Sequence, residues 1–350
     1  MLSRRKFIQR SLMATAAAGF VQPAYSFPTE YLSFDLHSHP GSFYGKGLKD
    51  YTGDAGVIKT TTEMNTGGLT GAFIALVADM PILERTPTGI KPGKPYAPGE
   101  AWKEYLRQMT ALKELLKTLP VALATNVNDL DKAFRNKKTA AFIACEGGDF
   151  LDGKPELLDQ MYVDGVRSMQ VVHYAQNALG DLQTEAPVYN GLSASGKEVV
   201  KKMNKLGMVV DVAHASFKTA QDVVSVTTKP IILSHSILKL EDTRPLSKRA
   251  ITPEHAKLVA STGGVVGAWP SGFNNSFDEF VDNTMRLVDV AGIDHVGLGT
   301  DMDSNFKPVL DSYRQLPKWA DSLKAKGLST AEVGKIMGGN AKRVLSKVLK

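Results

Sequence analysis

Five of the seven histidines in this chain, His37, His39, His173, His214 and His235, fall at the ends of short apolar runs that read as strands. One imidazole at a strand end is ordinarily a hydrogen-bonded core residue, but five at equivalent ends form a ligand set for metal once a sheet brings them together. On a strand, residues i and i+2 share a side. Asp35, His37 and His39 are therefore expected to face one way, and Phe34, Leu36 and Ser38 the other. His255, in a helical run after Pro253, and His295, at the start of the last strand, read as structural.

The carboxylates follow the same pattern. Glu146 ends a strand and is followed by Gly147-Gly148, which leaves it at a rim; Cys145, of opposite parity, reads as buried filling and not as a nucleophile. The last strand runs into Thr300-Asp301-Met302-Asp303, with two carboxylates at its mouth. Asp211 has opposite parity to His214 and no evident chemical role. Imidazole and carboxylate without a cysteine ligand make the donor set of a hydrolytic zinc site. The donors exceed what one four-coordinate ion needs. Two ions about 3.5 to 4 Å apart, bridged by Glu146 and a hydroxide, would use them, and a hydroxide so held is a nucleophile near neutral pH.

The elements that must position these groups alternate between β-branched or apolar runs and longer amphipathic ones. Eight runs read as strands: residues 32–39, 71–79, 140–146, 166–173, 208–214, 231–235, 264–268 and 295–301. Helical stretches are expected over 101–119, 196–206, 253–261, 276–290 and 330–349. In 196–206, for instance, Val199, Val200, Met203 and Leu206 form one apolar face. Eight such units point to an α/β fold, a closed (β/α)8 TIM barrel. The alternative, a doubly wound sheet in two domains, lacks a Gly-x-Gly-x-x-Gly turn after its first strand. Long loops are expected over 40–67, 80–100 and 174–196, all on the C-terminal face where barrel active sites lie. Tyr44, Tyr51, Tyr96 and Tyr189 in these loops are candidates for a lid over a substrate.

Composition excludes other classes. Of 350 residues, 43% are hydrophobic and 22% charged, as in ordinary folded proteins. A single cysteine precludes an intrachain disulfide. The surplus of +6 has no basic run that would suggest nucleic acid as a partner. Four of those charges come from the opening stretch, residues 1–26, which has a basic start, a short apolar segment and small residues before a cut after Ser26, the form of an export signal. Ser3-Arg4-Arg5-Lys6-Phe7-Ile8 matches the twin-arginine pattern, so the protein is expected to meet the twin-arginine export machinery and to reach the periplasm in soluble form. Arg4, Arg5, Lys6 and Arg10 are four of the 42 basic side chains, which leaves 38 against 36 acidic ones in a single catalytic barrel over 27–350.

In this order the motifs resemble those of the membrane (renal) dipeptidases, binuclear zinc (β/α)8 hydrolases. The resemblance runs from about Asp35 to Leu345: Asp35-Leu-His-Ser-His39, Glu146-Gly-Gly, Gly165-Val-Arg-Ser-Met-Gln-Val-Val-His173, Asp211-Val-Ala-His214, Ile232-Leu-Ser-His235, Arg249-Ala-Ile-Thr-Pro-Glu254, Gly292 through Asp301, and Gly338-Gly-Asn340 through Leu345. It implies that His37, His39 and Glu146 hold one zinc ion, and Glu146, His214 and His235 the other. It further implies that Asp301 shuttles a proton from the attacking water to the leaving nitrogen, that His173 stabilises the oxyanion, and that Arg249, in preference to Arg244, pairs with the carboxylate of a dipeptide. Homodimers are common in that family.

One departure stands out. His39 occupies a position where the family usually has Asp, which makes the site one unit more positive, disfavours a second cation and favours anionic substrates. The segment between His235 and Arg249 is also slightly longer than usual. Two alternatives to a zinc dipeptidase follow: a related hydrolase of N-acyl amino acids or lactones, and a non-catalytic periplasmic barrel that binds metal or ligand.

Overall fold

The structure, a computed structural model, describes residues 30–86, 89–239 and 247–350. The expected export signal and Arg244 lie outside them. Strands β1 (Phe34–Ser38) and β2 (Gly71–Val77) are followed by a hairpin, β3 (Leu83–Thr86) with β4 (Gly89–Pro92), and then β5 (Val121–Ala124) and β6 (Thr139–Glu146). Next come β7 (Val166–Gln170), β8 (Val209–Asp211), β9 (Ile232–Ser236), β10 (Val265–Ala268) and β11 (Val296–Leu298). The parallel order β1-β2-β6-β7-β8-β9-β10-β11 closes because β1 pairs with both β2 and β11. A closed sheet has no edge. The result is the eight-stranded barrel expected, and the doubly wound alternative falls away.

These strands are buried on both faces and so read as continuous apolar runs, as in Gly71–Val77, where all seven residues are buried. Phe34, Phe73 and Phe142 meet at ring separations of 5.3, 5.7 and 6.0 Å within an inner cluster that also takes in Leu36, Val209, Ile232 and Val265. Val344, Leu345 and Val348 of the last helix, Asn340–Val348, pack into the same cluster. The polar groups gather instead at the C-terminal ends of the strands.

Several boundaries differ from expectation, each for a local reason. The loop expected over 40–67 contains a helix, Ala55–Thr66, whose Val, Ile and Thr content lowers its intrinsic propensity while Val57, Thr61 and Met64 bury one face of it. Strand β5 was too short to stand out; it pairs with the first half of β6, from Val121↔Thr139 to Ala124↔Phe142, and β7 takes over that edge from Ile143. The helix expected over 330–349 is interrupted by a π-helical turn, Lys335–Gly339. There the backbone of β1 comes so close that a Cβ on Gly338 would lie 2.6 Å from the carbonyl of Leu32. Asn340 then donates to the carbonyls of Ile293 and Val296 at 2.8 and 2.9 Å, which ties the Gly-Gly-Asn motif to β11. Among the described residues no helix is long and apolar enough to cross a membrane.

Candidate metal centre

Glu146, the last residue of β6, is the hub. Its Oε1 lies 3.3 Å from Nε2 of His37, 3.1 Å from Nε2 of His214, 3.3 Å from Nε2 of His173 and 4.0 Å from Nε2 of His235. Its Oε2 lies 3.1 Å from Nε2 of His39, which is also 3.3 Å from Oδ1 of Asp301. Two sets of ligand atoms result, each compact enough for one ion: His37, His39, Glu146 and Asp301, and Glu146, His214 and His235. Gly147 holds φ at +95°, and a Cβ there would stand 3.3 Å from that of His173, so glycine admits both the turn and the approach of the imidazole.

The strands end earlier than their histidines. β7, β8 and β11 stop at Gln170, Asp211 and Leu298, so His173, His214 and Asp301 sit in the turns that follow, the last two in the left-handed region at φ +66° and +56°. The expected parity on β1 also fails. A register irregularity between Asp35 and Ser38 separates Asp35 from the two histidines. Its carboxylate accepts from Thr300 N, Thr300 Oγ1 and Tyr313 Oη at 2.9, 2.5 and 2.6 Å, which fastens β1 to the turn carrying Asp301. Asp211 has a comparable task, accepting the backbone N–H groups of Ala213 and Ser234 and so joining the His214 turn to β9.

The tautomers suit a cation. Nδ1 of His39 lies 2.9 Å from the carbonyl oxygen of Ala75, which can only accept, so the proton is on Nδ1 and Nε2 is free to ligate. Nε2 of His37 and Nε2 of His39 stand 3.0 Å apart, and those of His214 and His235 3.1 Å apart. Such facing lone pairs are what a bound cation resolves. Burial pushes His214 and His235 well below the ordinary imidazole range, reinforced by Arg249 for His214 and by His37 for His235, which leaves both neutral. Burial alone would raise Glu146, but the imidazoles of His173, His37 and His39 outweigh it and hold the carboxyl well below its usual range. For His39, burial is outweighed by Glu146 and Asp301, which raise it.

Around this centre stand further groups, of which Asp79, Gln183, Tyr174 and Trp269 are not among the site residues expected from the sequence. Asp79, just past β2, accepts from Nδ1 of His173 at 2.6 Å. Arg249 is buried; its Nη1 donates to Oε1 of Gln183 at 2.6 Å, its Nη2 lies 3.1 Å from Nε2 of His214, and its guanidinium sits 5.8 Å from the ring of Tyr174 and 5.5 Å from that of Trp269. Of the four candidate lid tyrosines, Tyr44 lies edge-on to His39 at 5.4 Å. Tyr51 and Tyr96 are bonded to Asp54 and to the Ala78 carbonyl, and Tyr189 is exposed. Asp303 does not join Asp301; it accepts from Gly41 N and Thr60 Oγ1 and anchors a loop. Cys145 is buried, and burial raises its thiol far above the range of a nucleophile. His295 bonds the Gly264 carbonyl, and His255 packs on Phe217.

Residues 29–350 match the sequence model of the membrane dipeptidases, peptidase family M19. The chain belongs to this family. Dipeptidase tcpJ of Claviceps purpurea (strain 20.1) is 29% identical over 265 residues, covering 70% of this chain and 60% of its own length. Dipeptidase verJ of Clonostachys rogersoniana is 26% identical over 259 residues, covering 71% and 66%. The chain thus spans under two thirds of the length of either relative.

Among solved structures, a metallopeptidase from Rhodobacter sphaeroides, liganded with a phosphinate mimic of the dipeptide L-Ala-D-Ala, superposes with a TM-score of 0.75 at 19% identity, over 91% of this chain and 99% of that one. The probable dipeptidase PvdM of Pseudomonas aeruginosa does so with 0.74 at 21%, over 99% of each. At these identities the likeness is one of fold.

Proposed function

We propose that this M19 protein is a zinc dipeptidase. The reading rests on one observation above all, the convergence of His37, His39, His214 and His235 on the single carboxylate of Glu146. His37, His39 and Glu146 would hold one ion, and Glu146, His214 and His235 the second. Divalent ions so held supply Lewis acidity to a carbonyl and acidify water. Every other task belongs to the chain.

Arg249 receives the terminal carboxylate of the substrate, with Gln183 and the rings of Tyr174 and Trp269 fixing its guanidinium. Asp301, the most open acid of the centre at 13% side-chain exposure, accepts the proton of the attacking water and returns it to the leaving nitrogen. His173 donates from Nε2 to the carbonyl oxygen as negative charge builds there. Because Asp79 holds the proton on Nδ1, only the imidazolium has an N–H at Nε2. Burial disfavours that form, but Asp79 and Glu146 restore it by raising His173 above its ordinary value. The twin-arginine pattern at Ser3 to Ile8 supports export of the folded, metal-loaded protein.

His39 favours a second reading, hydrolysis of N-acyl amino acids. These keep the carboxylate that Arg249 would bind but lack the α-ammonium of a dipeptide, which a centre made more positive by imidazole in place of carboxylate repels. A panel of dipeptides and N-acyl amino acids, assayed before and after verified metal removal, tests both. Activity on dipeptides that disappears with the metal and returns with Zn2+ supports the first reading. Activity confined to N-acyl amino acids supports the second, and full activity without metal sinks both.

A further inference from the structure

Gln170 ends β7 with its side chain buried behind the imidazoles and not among them. Its Nε2 lies 3.2 Å from Nδ1 of His37 and 3.4 Å from Oγ of Ser234, while its Oε1 has no hydrogen-bond partner. An amide presents oxygen and nitrogen in interchangeable positions, so the same geometry admits two arrangements of opposite polarity. With nitrogen toward His37, Nδ1 must accept, and the imidazole proton sits on Nε2, 3.3 Å from Glu146, where it would block a cation. With oxygen toward His37, the amide accepts from Nδ1–H and the Nε2 lone pair faces the centre.

A ligating imidazole carries its remaining proton on the other nitrogen and gives it to an outer partner. For His39 that partner is the Ala75 carbonyl, and for His235 it is Ser234, whose Oγ lies 3.0 Å from Nδ1. For His37, among the described residues, it is Gln170. Ser234 favours the same polarity: once its oxygen accepts from His235, its own hydrogen is available to the amide oxygen beside it.

We propose that Gln170 is a positioning residue of the metal centre, whose amide oxygen holds His37 in the Nδ1–H tautomer and thereby presents Nε2 to the ion. The inference rests on the metal reading above. Its test compares Gln170→Met, whose thioether is only a weak acceptor, with Gln170→Glu, which accepts at either oxygen, against wild type. Zinc affinity is measured by competition with a chelator, and histidine tautomers by 15N resonances of the zinc-loaded protein.

The expected result is a loss of about tenfold to hundredfold in zinc affinity for Gln170→Met, with a melting temperature of the metal-free protein no lower than wild type. Gln170→Glu should bind zinc at least as tightly as wild type, and the wild-type spectrum should carry the Nδ1–H signature for His37. Equal affinity of wild type and Gln170→Met overturns the role of Gln170 alone, whereas wild-type protein that takes up no zinc overturns the metal reading with it. Should the methionine variant fail to fold, Gln170→Glu decides: wild-type affinity supports the role, and a tenfold loss overturns it.

Discussion

Nδ1 of His173 lies 2.6 Å from Oδ1 of Asp79, and the other oxygen of that carboxylate accepts the backbone N–H groups of Tyr174 and Ala175 at 3.0 and 2.8 Å. The contact joins the end of one strand to the turn after another, and the two backbone bonds hold the carboxylate still. An imidazole so gripped keeps one orientation toward Glu146, with its Nε2 at the centre.

Replacing Asp79 by Asn keeps the shape and removes the charge that favours the imidazolium. Turnover should fall about a hundredfold, as on losing one oxyanion donor, with KM little changed. Steady-state kinetics check this; a rise in KM with kcat unchanged would place His173 in substrate binding alone.

Arg249→Lys keeps a cation but loses the fork that engages both carboxylate oxygens and the flat face that lies near Tyr174 and Trp269. The expected loss in kcat/KM is about a hundredfold for substrates with a free carboxylate. For the corresponding amides it should be much smaller. Equal losses on both would remove carboxylate recognition from its role.

Glu146→Gln removes the charge that both ligand sets share. Metal content after dialysis should fall from two ions per chain to one or fewer, as read by elemental analysis. An unchanged count would show that Glu146 does not bridge.

Away from the centre, burial beside Phe217 pushes His255 down to about 4, below its ordinary 6.5. Between these values the unfolded chain binds a proton that the folded chain refuses, so stability is whole above about pH 6.5 and declines as pH falls toward 4. On lowering pH from 7 to 5, His255→Leu should lose about 2 kcal/mol less than wild type in denaturant melts. Parallel losses in the two proteins would mean that His255 protonates freely in the fold.

Much of this was legible in the sequence because it is local. Periodicity and β-branched runs marked all eight barrel strands, and the Gly-Gly after Glu146 marked a turn at a rim. The ligand residues could be named because each sits at or just beyond a strand end, where a closed barrel makes them neighbours.

What remained hidden depends on pairs distant in the chain or on a slip of a single residue. Asp79 and His173 are 94 positions apart, His37 and Gln170 133, and no local pattern signals either pairing. A carboxylate at the end of β2, matching those at the ends of β6 and β11, was the one available hint of Asp79. The irregularity in β1 turned Asp35 toward Tyr313 against its parity, since alternation holds only while register does.

The sequence by itself determined which residue types reach the mouth of the barrel, because strand period and strand ends are properties of short stretches of chain. The tertiary structure decided which nitrogen of each imidazole faces Glu146, and which carbonyl, carboxylate or amide stands behind it. Those choices rest on hydrogen-bond partners that only closure of the barrel brings within 3 Å or so of one another.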